Sequence, residues 1–539
     1  MSTPSKYQQD IYEFVEHGKG NAVIDAVAGS GKTTTIVGAA TLIPANLRTV
    51  FLAFNKSIAE ELKTRLPKHV EARTLNSLGH AAWMKYAAGK VTLDADKVKK
   101  LVRKLQDTLE ASYGQSADEA TFERLELTRN NFRAIMDLVR KAKISGLAPA
   151  AVQGVRGLVP DTDDAWVAMA EHYDIELPTN VAGILLIARH LLKKSVEDKA
   201  IIDFDDQFYM SLIYGAPFPR FDFVFVDEAQ DVSDIQREIL RRILKPTGRL
   251  VAVGDQNQAI YGFRGSNPDS LNLIRSEFKA KSLPLSICYR CDRLIIERAQ
   301  EVVPEIECSP AAGEGTIDDL GTLDPKFNYA VFSQSDMVVC RYTAPLITLA
   351  YKLITKKIAC KVKGRDIAQG LITLIDKLHC TQVDRLVVKL EDWYRTESSR
   401  ALARDRDANL DPINDKYESL KAVIENSKFK TVDALKAELV EMFADQANGI
   451  LTLSTVHKAK GLEGDRVFIL DGDEMPSRRA TKEWQKRQEL NLLYVAITRA
   501  KHHLFYISSE KKNKMSALVA KAEDQALKDQ ADLEAGRPS

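Results

Sequence analysis

A glycine-rich octapeptide near the amino end of the chain has the composition of a phosphate-binding loop. It reads Ala-Val-Ala-Gly-Ser-Gly-Lys-Thr from Ala26 to Thr33, follows a strand-like run and opens a helix-like run. In that context small residues let backbone N–H groups close around phosphate oxygens, and the helix amino terminus adds a favourable dipole. Lys32 can reach the outer phosphates and Thr33 can ligate Mg²⁺. The residues predicted to line this site are Ala28, Gly29, Ser30, Gly31, Lys32, Thr33 and Thr34.

Two adjacent carboxylates, Asp227 and Glu228, directly follow the apolar run Phe223-Val-Phe-Val. One of them can hold Mg²⁺, and the other can orient or deprotonate an attacking water. A pair of charges at the end of a buried strand is otherwise expensive. The pair therefore favours ATP hydrolysis over a solvated turn, with ATP and Mg²⁺ as cofactors.

The elements that must position these residues are visible as short β-branched or aromatic runs, each followed by a turn and a helix-like stretch. Runs that are apolar on both faces are typical of buried parallel strands between helices, so the predicted fold class is α/β. Ligands should then lie beyond the carboxyl ends of the strands. The predicted strands are Ala22–Asp25, Val50–Ala53, Phe223–Val226, Leu250–Val253, Met337–Cys340, Arg466–Leu470 and His503–Ile507.

Two stretches depart from that alternation, roughly residues 81–200 and 365–448, which are rich in Leu, Lys, Glu and Arg at helical spacing. We interpret them as mainly helical insertions. Residues 510–539 are charged and rich in alanine, which is typical of a marginal helix or a disordered tail.

Bulk composition limits the class of protein without naming it. The chain has 76 Lys and Arg against 75 Asp and Glu, a net charge of +1, so no global basic field marks a nucleic-acid partner. A protein that clasps one strand in a cleft needs only local donors and stacking rings. No signal peptide or membrane span is apparent, which predicts a cytoplasmic protein, bacterial or phage-encoded, that associates with the nucleoid through DNA. The pair Cys288-x-x-Cys291 lacks a second pair or a nearby histidine, so sequence alone favours neither a zinc nor a redox site.

Longer strings of residues carry a resemblance to a known family. The string Asp-Glu-Ala-Gln-Asp from Asp227, with Gln236 beyond it, resembles motif II of the superfamily 1A DNA helicases of the UvrD/Rep/PcrA kind. Four more strings resemble motifs III to VI in the same order: Val253–Gly265, Cys288–Arg290, Ser454–Glu463 and Leu493–Ala500. With the phosphate-binding loop and the segment Ser5-Lys-Tyr-Gln8, the resemblance spans residues 5 to 505.

The resemblance implies two RecA-like domains that face each other, with ATP bound by the first and sensed by arginines of the second. The catalytic residues implied are Lys32, Asp227, Glu228, Gln258, Arg290 and Arg499, with Thr33 and Asp227 as metal ligands. Further nucleotide contacts are implied for Gln8 to adenine, Tyr289 as a stacking ring, Glu463 to a sugar hydroxyl, and Arg290 and Arg499 to the phosphates. Such arginines stabilise charge on a transferring phosphoryl group.

Candidate DNA contacts lie beside these motifs. Stacking of a base on an aromatic ring is worth roughly 1–3 kcal/mol and tolerates any sequence, which favours Tyr261 and Phe263 in motif III and His457 in motif V. A core position for Phe263 is the alternative. By family position, Asn55, Lys56, Asn76 and Arg341 are further candidates for contacts to the DNA backbone.

The chain departs from the usual family pattern at several motif positions. Phe263 stands where relatives usually have Trp, Cys288 where they usually have Asn, and Asn76 where His is common. None of these changes removes a catalytic group. They indicate an outlying branch, phage-encoded or similar to the F-box helicases.

The predicted organisation has four domains and a tail. Residues 1–80 and 201–279 form the first RecA-like domain, 280–364 and 449–509 the second, 81–200 and 365–448 the two insertions, and 510–539 the tail. The resemblance implies an ATP-driven helicase or translocase that is monomeric in solution and moves 3′-to-5′ on single-stranded DNA and junctions. It separates duplexes or removes bound proteins, with a replication, repair or recombination protein as partner. A DNA-binding scaffold with a degenerate ATPase and a helicase-nuclease subunit are the alternatives.

Overall fold

The fold is given by a computed structural model that describes residues 3–116, 118–173, 175, 177–262, 267, 269–404, 410–443, 450–478, 480 and 482–510, without the side chains of 403 and 404. The chain divides into two compact units. The first comprises the chain up to Ala26 and Gly31–Leu285, and the second comprises Val27–Ser30 and the chain from Ser286 onward.

The first unit alternates strands and helices and carries one long run of helices. In chain order its elements are α1 (Lys6–His17), β1 (Ala22–Ala26), α2 (Lys32–Ala40), β2 (Thr49–Ala53), α3 (Lys56–Arg65), β3 (Val70–Thr74), α4 (Leu75–Ala87), β4 (Thr92–Leu93), α5 (Lys97–Ser116), α6 (Glu119–Asn130), α7 (Phe132–Ser145), α8 (Asp163–His172), α9 (Val181–Glu197), β5 (Ile201–Ile202), α10 (Asp206–Ile213), β6 (Phe221–Val226), α11 (Asp234–Ile243), β7 (Leu244–Gly254), α12 (Ser270–Glu277) and β8 (Lys281–Leu285).

Six of these strands form one sheet in the order β3-β2-β6-β7-β1-β8, and every neighbouring pair is parallel. Both faces of the sheet are covered. Val23 of β1 packs into one hydrophobic cluster that includes Val102 of α5, while the next residue, Ile24, packs into another that includes Ile36 of α2. Burial on both faces explains why the strands are nearly continuous apolar runs.

A buried cluster of charges joins the helical run to the α/β part of the first unit. The Lys143 ammonium of α7 lies 2.6 Å from an Asp203 carboxylate oxygen and 2.8 Å from one of Asp206, and Lys97 of α5 lies 2.8 Å from the other Asp206 oxygen. Because buried charges are tolerated only when they are paired, these contacts fix α5 and α7 against the start of α10.

The second unit repeats the parallel α/β design. In chain order its elements are β9 (Ile287–Cys288), α13 (Arg293–Gln300), β10 (Glu307–Cys308), β11 (Thr316–Thr322), β12 (Met337–Cys340), α14 (Thr343–Thr355), β13 (Cys360–Val362), α15 (Arg365–Lys377), α16 (Val383–Arg404), α17 (Asp411–Asn426), α18 (Val432–Met442), β14 (Leu451–Thr455), α19 (Val456–Ala459), β15 (Gly464–Leu470), α20 (Glu483–Ile497) and β16 (Ala500–Ser508).

Its main sheet has the order β11-β16-β15-β12-β14-β13, again with parallel pairs only. One hydrophobic cluster runs from the sheet into the helices of residues 365–443. It contains Val338 of β12, Leu346 of α14, Leu420 of α17 and Leu435 of α18. The helices therefore share a core with the sheet that carries them.

The predicted fold class is confirmed: two parallel-sheet units each carry a mainly helical insertion. All seven predicted strands coincide with strands of the two sheets. The boundary predicted at residue 279 falls before β8, which pairs with β1, and the first unit runs on to Leu285. The sequence concealed β8 because it is an edge strand with a proline at residue 284 and exposed residues at 281, 282 and 284. Among the described residues, no helix combines the length and hydropathy that crossing a membrane requires.

Candidate functional site

The two phosphate-handling motifs meet at one edge of the first sheet. Helix α2 begins directly after Gly31, whose φ of 75° lies in the left-handed region that favours glycine. The Thr33 hydroxyl donates to an Asp227 carboxylate oxygen at 2.7 Å. Because β1 and β6 are parallel strands of the same sheet, their carboxyl ends lie at the same edge, where ligands of such sheets bind.

Asp227 is a buried carboxylate whose pKa is raised well above its usual value. Burial, and after it repulsion from Glu228, raises the pKa of Asp227 to about 6, although the Thr33 hydroxyl and Lys32 act against the rise. Glu228 itself has a φ of 52°, a left-handed conformation that is costly for a residue with a side chain. Strained backbone and crowded carboxylates are both typical of functional sites.

The same residues fit the ligand set that Mg²⁺ prefers. A hydroxyl and a carboxylate lie within hydrogen-bonding distance of each other, and the carboxylate lacks sufficient positive charge around it. Within the described part of the chain, no group of three or more His, Cys, Asp and Glu side chains could hold a metal ion. A cation at Thr33 and Asp227 would therefore need phosphate oxygens and water to complete its shell.

A chain of buried hydrogen bonds leads from Glu228 to Gln258. The Gln230 amide donates to the Glu228 carboxylate, and the Gln230 carbonyl accepts from the backbone N–H of Asp255 at 3.0 Å. Asp255 in turn accepts from the Gln258 amide at 2.7 Å. Gln230, Asp255 and Gln258 are all buried. The candidate water-activating carboxylate is thus joined to the candidate phosphate sensor through Gln230 and Asp255, two residues to which the sequence analysis assigned no role.

Gln8 and Thr34 lie in the same unit but are occupied by protein partners. The Gln8 side chain caps α1 by accepting from the backbone N–H of Ser5 at 2.9 Å, and it donates to Thr35 of α2 at 3.1 Å. The Thr34 hydroxyl accepts from Arg65 at 3.4 Å. These contacts place Gln8 beside α2, and its adenine contact remains a prediction.

The loop residues Val27–Ser30 are held within the second unit. The backbone N–H of Ala28 donates to the Tyr494 hydroxyl at 2.9 Å, and the backbone N–H of Tyr289 donates to the Gly29 carbonyl at 2.9 Å. The Ser30 hydroxyl donates to the Val27 carbonyl of the same loop at 2.8 Å. Two of the predicted loop residues thus contact the segments that resemble motifs IV and VI.

The two candidate arginines are both engaged inside the second unit. Arg290 forms an ion pair with Glu463 at 2.7 Å and donates to the Thr498 carbonyl at 3.2 Å. Arg499 is 1% exposed and donates to the carbonyls of Val495 and Leu462. Burial, followed by the nearby charge of Arg290, lowers the pKa of Arg499 to about 10. Two cations held this close together, one of them fully buried, favour an anionic ligand.

Three of the candidate DNA contacts in the first unit begin helices at the sheet edge. The Asn55 side chain caps α3 by accepting from the backbone N–H of Ile58 at 2.9 Å, and Lys56 next to it is exposed. Asn76, in the first turn of α4, donates to the side-chain amide oxygen of Gln207 at 3.0 Å. Because β2 and β3 are neighbouring parallel strands, these residues follow the same edge.

An aromatic pair extends that edge. Phe54 stacks on Tyr261 with ring centroids 6.1 Å apart and planes 9° apart, and Phe54 is 46% exposed. A large exposed ring beside a polar edge is a natural stacking surface for a base. Tyr261 was predicted from the sequence and Phe54 was not. Phe263 lies outside the described residues.

Arg341 and His457 belong to the second unit. Arg341 is turned toward Glu489, with its Nε 3.0 Å from both carboxylate oxygens and its Nη2 2.6 Å from one of them. Its neighbour Tyr342 donates to Asp411 of α17 at 2.9 Å. His457, at the start of α19, is partly buried. In this arrangement Arg341 joins a network that reaches the helical insertion, and its DNA contact remains a prediction.

Sequence reasoning missed Phe54, Gln230, Asp255 and Tyr494. A signal existed for three of them, since Gln230, Asp255 and Tyr494 stand within the motif strings. Their roles depend on hydrogen-bond partners distant in sequence, which spacing does not reveal. Phe54 stood beside Asn55 as an ordinary aromatic at the end of an apolar run.

Comparison with known proteins agrees with this geometry. Residues 7–279, half of the chain, match the UvrD/REP helicase N-terminal domain, and residues 326–511 match the UvrD-like helicase C-terminal domain. The chain belongs to the UvrD/REP helicase family. The resemblance inferred from the motifs is thereby confirmed.

Among the relatives within this UvrD/REP family are two eukaryotic proteins. The chain is 25% identical over 516 residues to F-box DNA helicase protein 1 of Schizosaccharomyces pombe, covering 89% of this chain and 55% of that protein. It is 26% identical over 511 residues to F-box DNA helicase 1 of Gallus gallus, covering 90% and 47%. DNA helicase II of Haemophilus influenzae is 31% identical over 184 residues, 34% of this chain and 25% of that protein. The chain thus spans about half the length of the F-box relatives.

The raised pKa of Asp255 predicts that the free energy of unfolding depends on pH. Burial raises the pKa of Asp255 to about 6, so the folded state binds its proton more tightly than the unfolded state does. The stabilisation from this proton is full at low pH and is lost as pH rises through 6. Between pH 5 and 7.5, without nucleotide or Mg²⁺, Asp255→Asn should gain on the order of 1 kcal/mol of unfolding free energy relative to the unmodified chain.

Urea unfolding at the two pH values measures this difference. Asp107→Asn, which removes an exposed carboxylate of α5, is the control and should show no such gain. A pH slope identical in Asp255→Asn and the unmodified chain would contradict the assignment.

Proposed function

We propose that the chain is an ATP-dependent DNA helicase or translocase that hydrolyses ATP to move along single-stranded DNA. The observation that carries the proposal is the joining of the Thr33–Asp227 contact to the buried hydrogen-bond chain from Glu228 to Gln258. Coupling of ATP hydrolysis to movement requires carboxylates beside the phosphate-binding loop and a hydrogen-bonded connection from them to a polar group that senses the phosphate. Membership of the UvrD/REP helicase family supports DNA as the track.

In this proposal the loop residues bind the nucleotide and the carboxylates act on water. The backbone N–H groups of Gly29 to Thr34 surround the phosphates, and Lys32 contacts the outer ones. Mg²⁺, held by Thr33 and Asp227, would neutralise charge on the phosphates. Glu228 orients and deprotonates the attacking water, while Arg290 and Arg499 stabilise the charge that develops on the transferred phosphoryl group.

The remaining nucleotide contacts are proposed on family position together with geometry. Gln8 reads adenine from beside α2, and the exposed ring of Tyr289 stacks on the base. Glu463 binds a sugar hydroxyl once its pairing with Arg290 loosens, because one carboxylate cannot serve the ion pair and the sugar in the same geometry. Binding of nucleotide would therefore free Arg290 for the phosphates.

Coupling to DNA follows the hydrogen-bond chain. Gln258 stands three residues before Tyr261, which stacks on Phe54. A change in the partner of Gln258 on loss of the outer phosphate would shift the turn that carries Tyr261, because buried polar groups must remain paired. We propose that the Phe54–Tyr261 pair stacks on bases and that Asn55, Lys56 and Asn76 contact the backbone. Phe263, Arg341 and His457 keep their proposed roles by family position.

Movement 3′-to-5′, removal of bound proteins and a replication, repair or recombination partner are proposed from the family alone. By resemblance to the UvrD-like helicases we expect the second helical insertion, residues 365–448, to be short beside its counterparts, and a smaller insertion offers less surface to hold a duplex junction. We therefore propose that the isolated chain, a monomer, translocates readily and unwinds duplex weakly without a partner.

Lys32→Ala and Glu228→Gln should each lower DNA-stimulated ATP hydrolysis by about 100-fold or more, because they remove a phosphate contact and the water-activating carboxylate. Lys32→Ala should retain strand binding, since the DNA contacts lie on other residues. Phosphate release with and without single-stranded DNA measures the first effect, and fluorescence anisotropy the second.

Two exposed residues of the same unit provide matched controls for these changes, Lys19→Ala and Glu13→Gln. Both controls should hydrolyse ATP at the unmodified rate. Undiminished hydrolysis in Lys32→Ala and Glu228→Gln would show that the site is elsewhere.

Phe54→Ala should weaken binding of single-stranded DNA by roughly 1–3 kcal/mol, about 5- to 150-fold in Kd, with little change in ATP hydrolysis without DNA. Phe54→Tyr should restore affinity because the ring remains. Phe122→Ala removes an equally exposed phenylalanine of α6 and should leave affinity unchanged. Equal affinities of Phe54→Ala and the unmodified chain would refute the stacking role.

A strand-displacement assay with 3′-tailed and 5′-tailed duplexes tests direction and unwinding. The expected result is ATP-dependent displacement from 3′-tailed duplex only, slow without added partners and absent in Glu228→Gln. RNA-tailed duplexes, run in parallel, should be poorer substrates. Displacement from the 5′ tail would reverse the proposed polarity, and fast unwinding by the monomer would contradict the need for a partner.

A further inference from the structure

Three cysteines of the second unit lie in one place, although they are separated in sequence by up to twenty residues. We call Cys288, Cys291 and Cys308 the cysteine cluster. Cys288 ends β9 and Cys308 ends β10, and the two are Cα partners in a parallel pair of strands. Cys291 follows a short bend and stands just before α13. All three are free thiols.

Two members of the cluster are buried under a bend that is itself at the surface. Cys288 and Cys291 are 0% and 1% exposed, whereas Tyr289 between them is 48% exposed. The Cys291 thiol lies 3.8 Å from the Thr498 carbonyl, and the partly exposed Cys308 thiol lies 3.6 Å from that of Ser309. Local opening of a surface bend costs far less than global unfolding, so small oxidants can reach the pair.

The two buried thiols have unequal acidity. Interaction with the Cys291 thiol lowers the pKa of Cys288, helped by the backbone N–H groups of Cys291 and Arg290. The same interaction, together with burial, raises the pKa of Cys291. A thiolate next to a protonated thiol is the arrangement of reactive Cys-x-x-Cys pairs, in which one sulfur attacks and the other resolves.

The cluster also abuts the loop residue Gly29. A Cβ atom on Gly29 would lie 2.8 Å from the Cys288 sulfur and 2.6 Å from the Cβ of Arg290, so only glycine fits. The backbone between the thiols carries the Tyr289 N–H that donates to the Gly29 carbonyl. It also carries Arg290, which pairs with Glu463. A change in the positions of the two sulfurs is therefore expected to displace Gly29 and Arg290.

We propose that Cys288 and Cys291 form a reversible disulfide that switches off ATP hydrolysis. The inference rests on the proposed function, because the switch acts on the residues assigned to the nucleotide. The oxidant is hydrogen peroxide. The Cys288 thiolate attacks one peroxide oxygen, the O–O bond breaks, and after proton transfer water and a Cys288 sulfenic acid result. The Cys291 thiol then attacks the Cys288 sulfur, forming the S–S bond and releasing a second water.

The disulfide changes the bend because its geometry is narrow. The two sulfurs must come to about 2.05 Å from each other. Oxidation also removes the S–H group of Cys291 that donates to the Thr498 carbonyl. The closed ring contains the backbone of Tyr289 and Arg290. The ring restricts Arg290 to one orientation, so that its side chain can no longer move with the transferred phosphoryl group. It also shifts the Tyr289 N–H that donates to the Gly29 carbonyl.

Mapping by mass spectrometry tests the site without reference to activity. The full chain, first reduced, is treated with hydrogen peroxide, alkylated and digested with trypsin. Cleavage after Arg290 separates the two thiols, so the disulfide is expected as a linked pair of the peptides 282–290 and 291–293. A linked pair of 282–290 and 299–326, which would join Cys288 to Cys308, overturns the assignment, and so does the absence of any link.

Activity tests the consequence. Peroxide should lower DNA-stimulated ATP hydrolysis of the unmodified chain by at least about tenfold, and dithiothreitol should restore it. Cys291→Ser should hydrolyse ATP at the reduced rate and resist peroxide, whereas Cys380→Ser, a matched change outside the cluster, should remain sensitive. Peroxide sensitivity that persists in Cys291→Ser overturns the switch. If the reduced chain shows no ATP hydrolysis, the proposed function fails, while the peptide map still decides whether the disulfide forms.

Discussion

The carboxylate of Asp227 is buried at the end of a central strand, where burial and repulsion from Glu228 outweigh the groups that stabilise its charge. Burial and the neighbouring Glu228 raise its pKa to about 6, and the Thr33 hydroxyl supplies only a partial correction. A divalent cation with phosphate oxygens would remove the imbalance, because it brings the missing positive charge and accepts hard oxygen ligands. The placement of β1 and β6 in one parallel sheet, and the glycine that precedes α2, bring Thr33 and Asp227 together at one edge of that sheet.

A second constraint is that polar groups in the same region are hydrogen-bonded to one another. Gln230 holds the Glu228 carboxylate with one end of its amide and the backbone of Asp255 with the other, and Asp255 holds Gln258. A buried chain of this kind has few alternative arrangements, since leaving one member unpaired costs about 1–3 kcal/mol. A change at one end is therefore expected to reach the other end as a change of hydrogen-bond partner. This property supports the sensor role that we propose for Gln258.

The sequence allowed prediction of the parts whose physics is local. Strands buried on both faces, such as β2 and β6, are continuous apolar runs, and the Gly-Lys-Thr loop is short and contiguous. The edge strands β11 and β8 were not predicted, because β11 is mostly exposed along Thr316–Thr322 and β8 contains a proline. Phe54 and Arg341 show the other limit. The stacking of Phe54 on Tyr261 and the pairing of Arg341 with Glu489 depend on partners far along the chain, which no spacing rule contains.

Close packing at Gly29 explains why a cysteine pair there has consequences that an isolated pair would not. The Cys288 sulfur and the Arg290 Cβ lie so close to Gly29 that a Cβ atom on this residue would meet them at 2.8 and 2.6 Å, so the three groups are packed directly against one another. Arg290 and Arg499 are held by carbonyls and by Glu463 in the same region. In the anion site that we propose here, the positions of the two arginines depend on the backbone that carries them. Because Arg290 lies between Cys288 and Cys291, a disulfide between the two thiols would change the backbone that positions the arginine. The departure from the family pattern at Cys288 would then affect the nucleotide site.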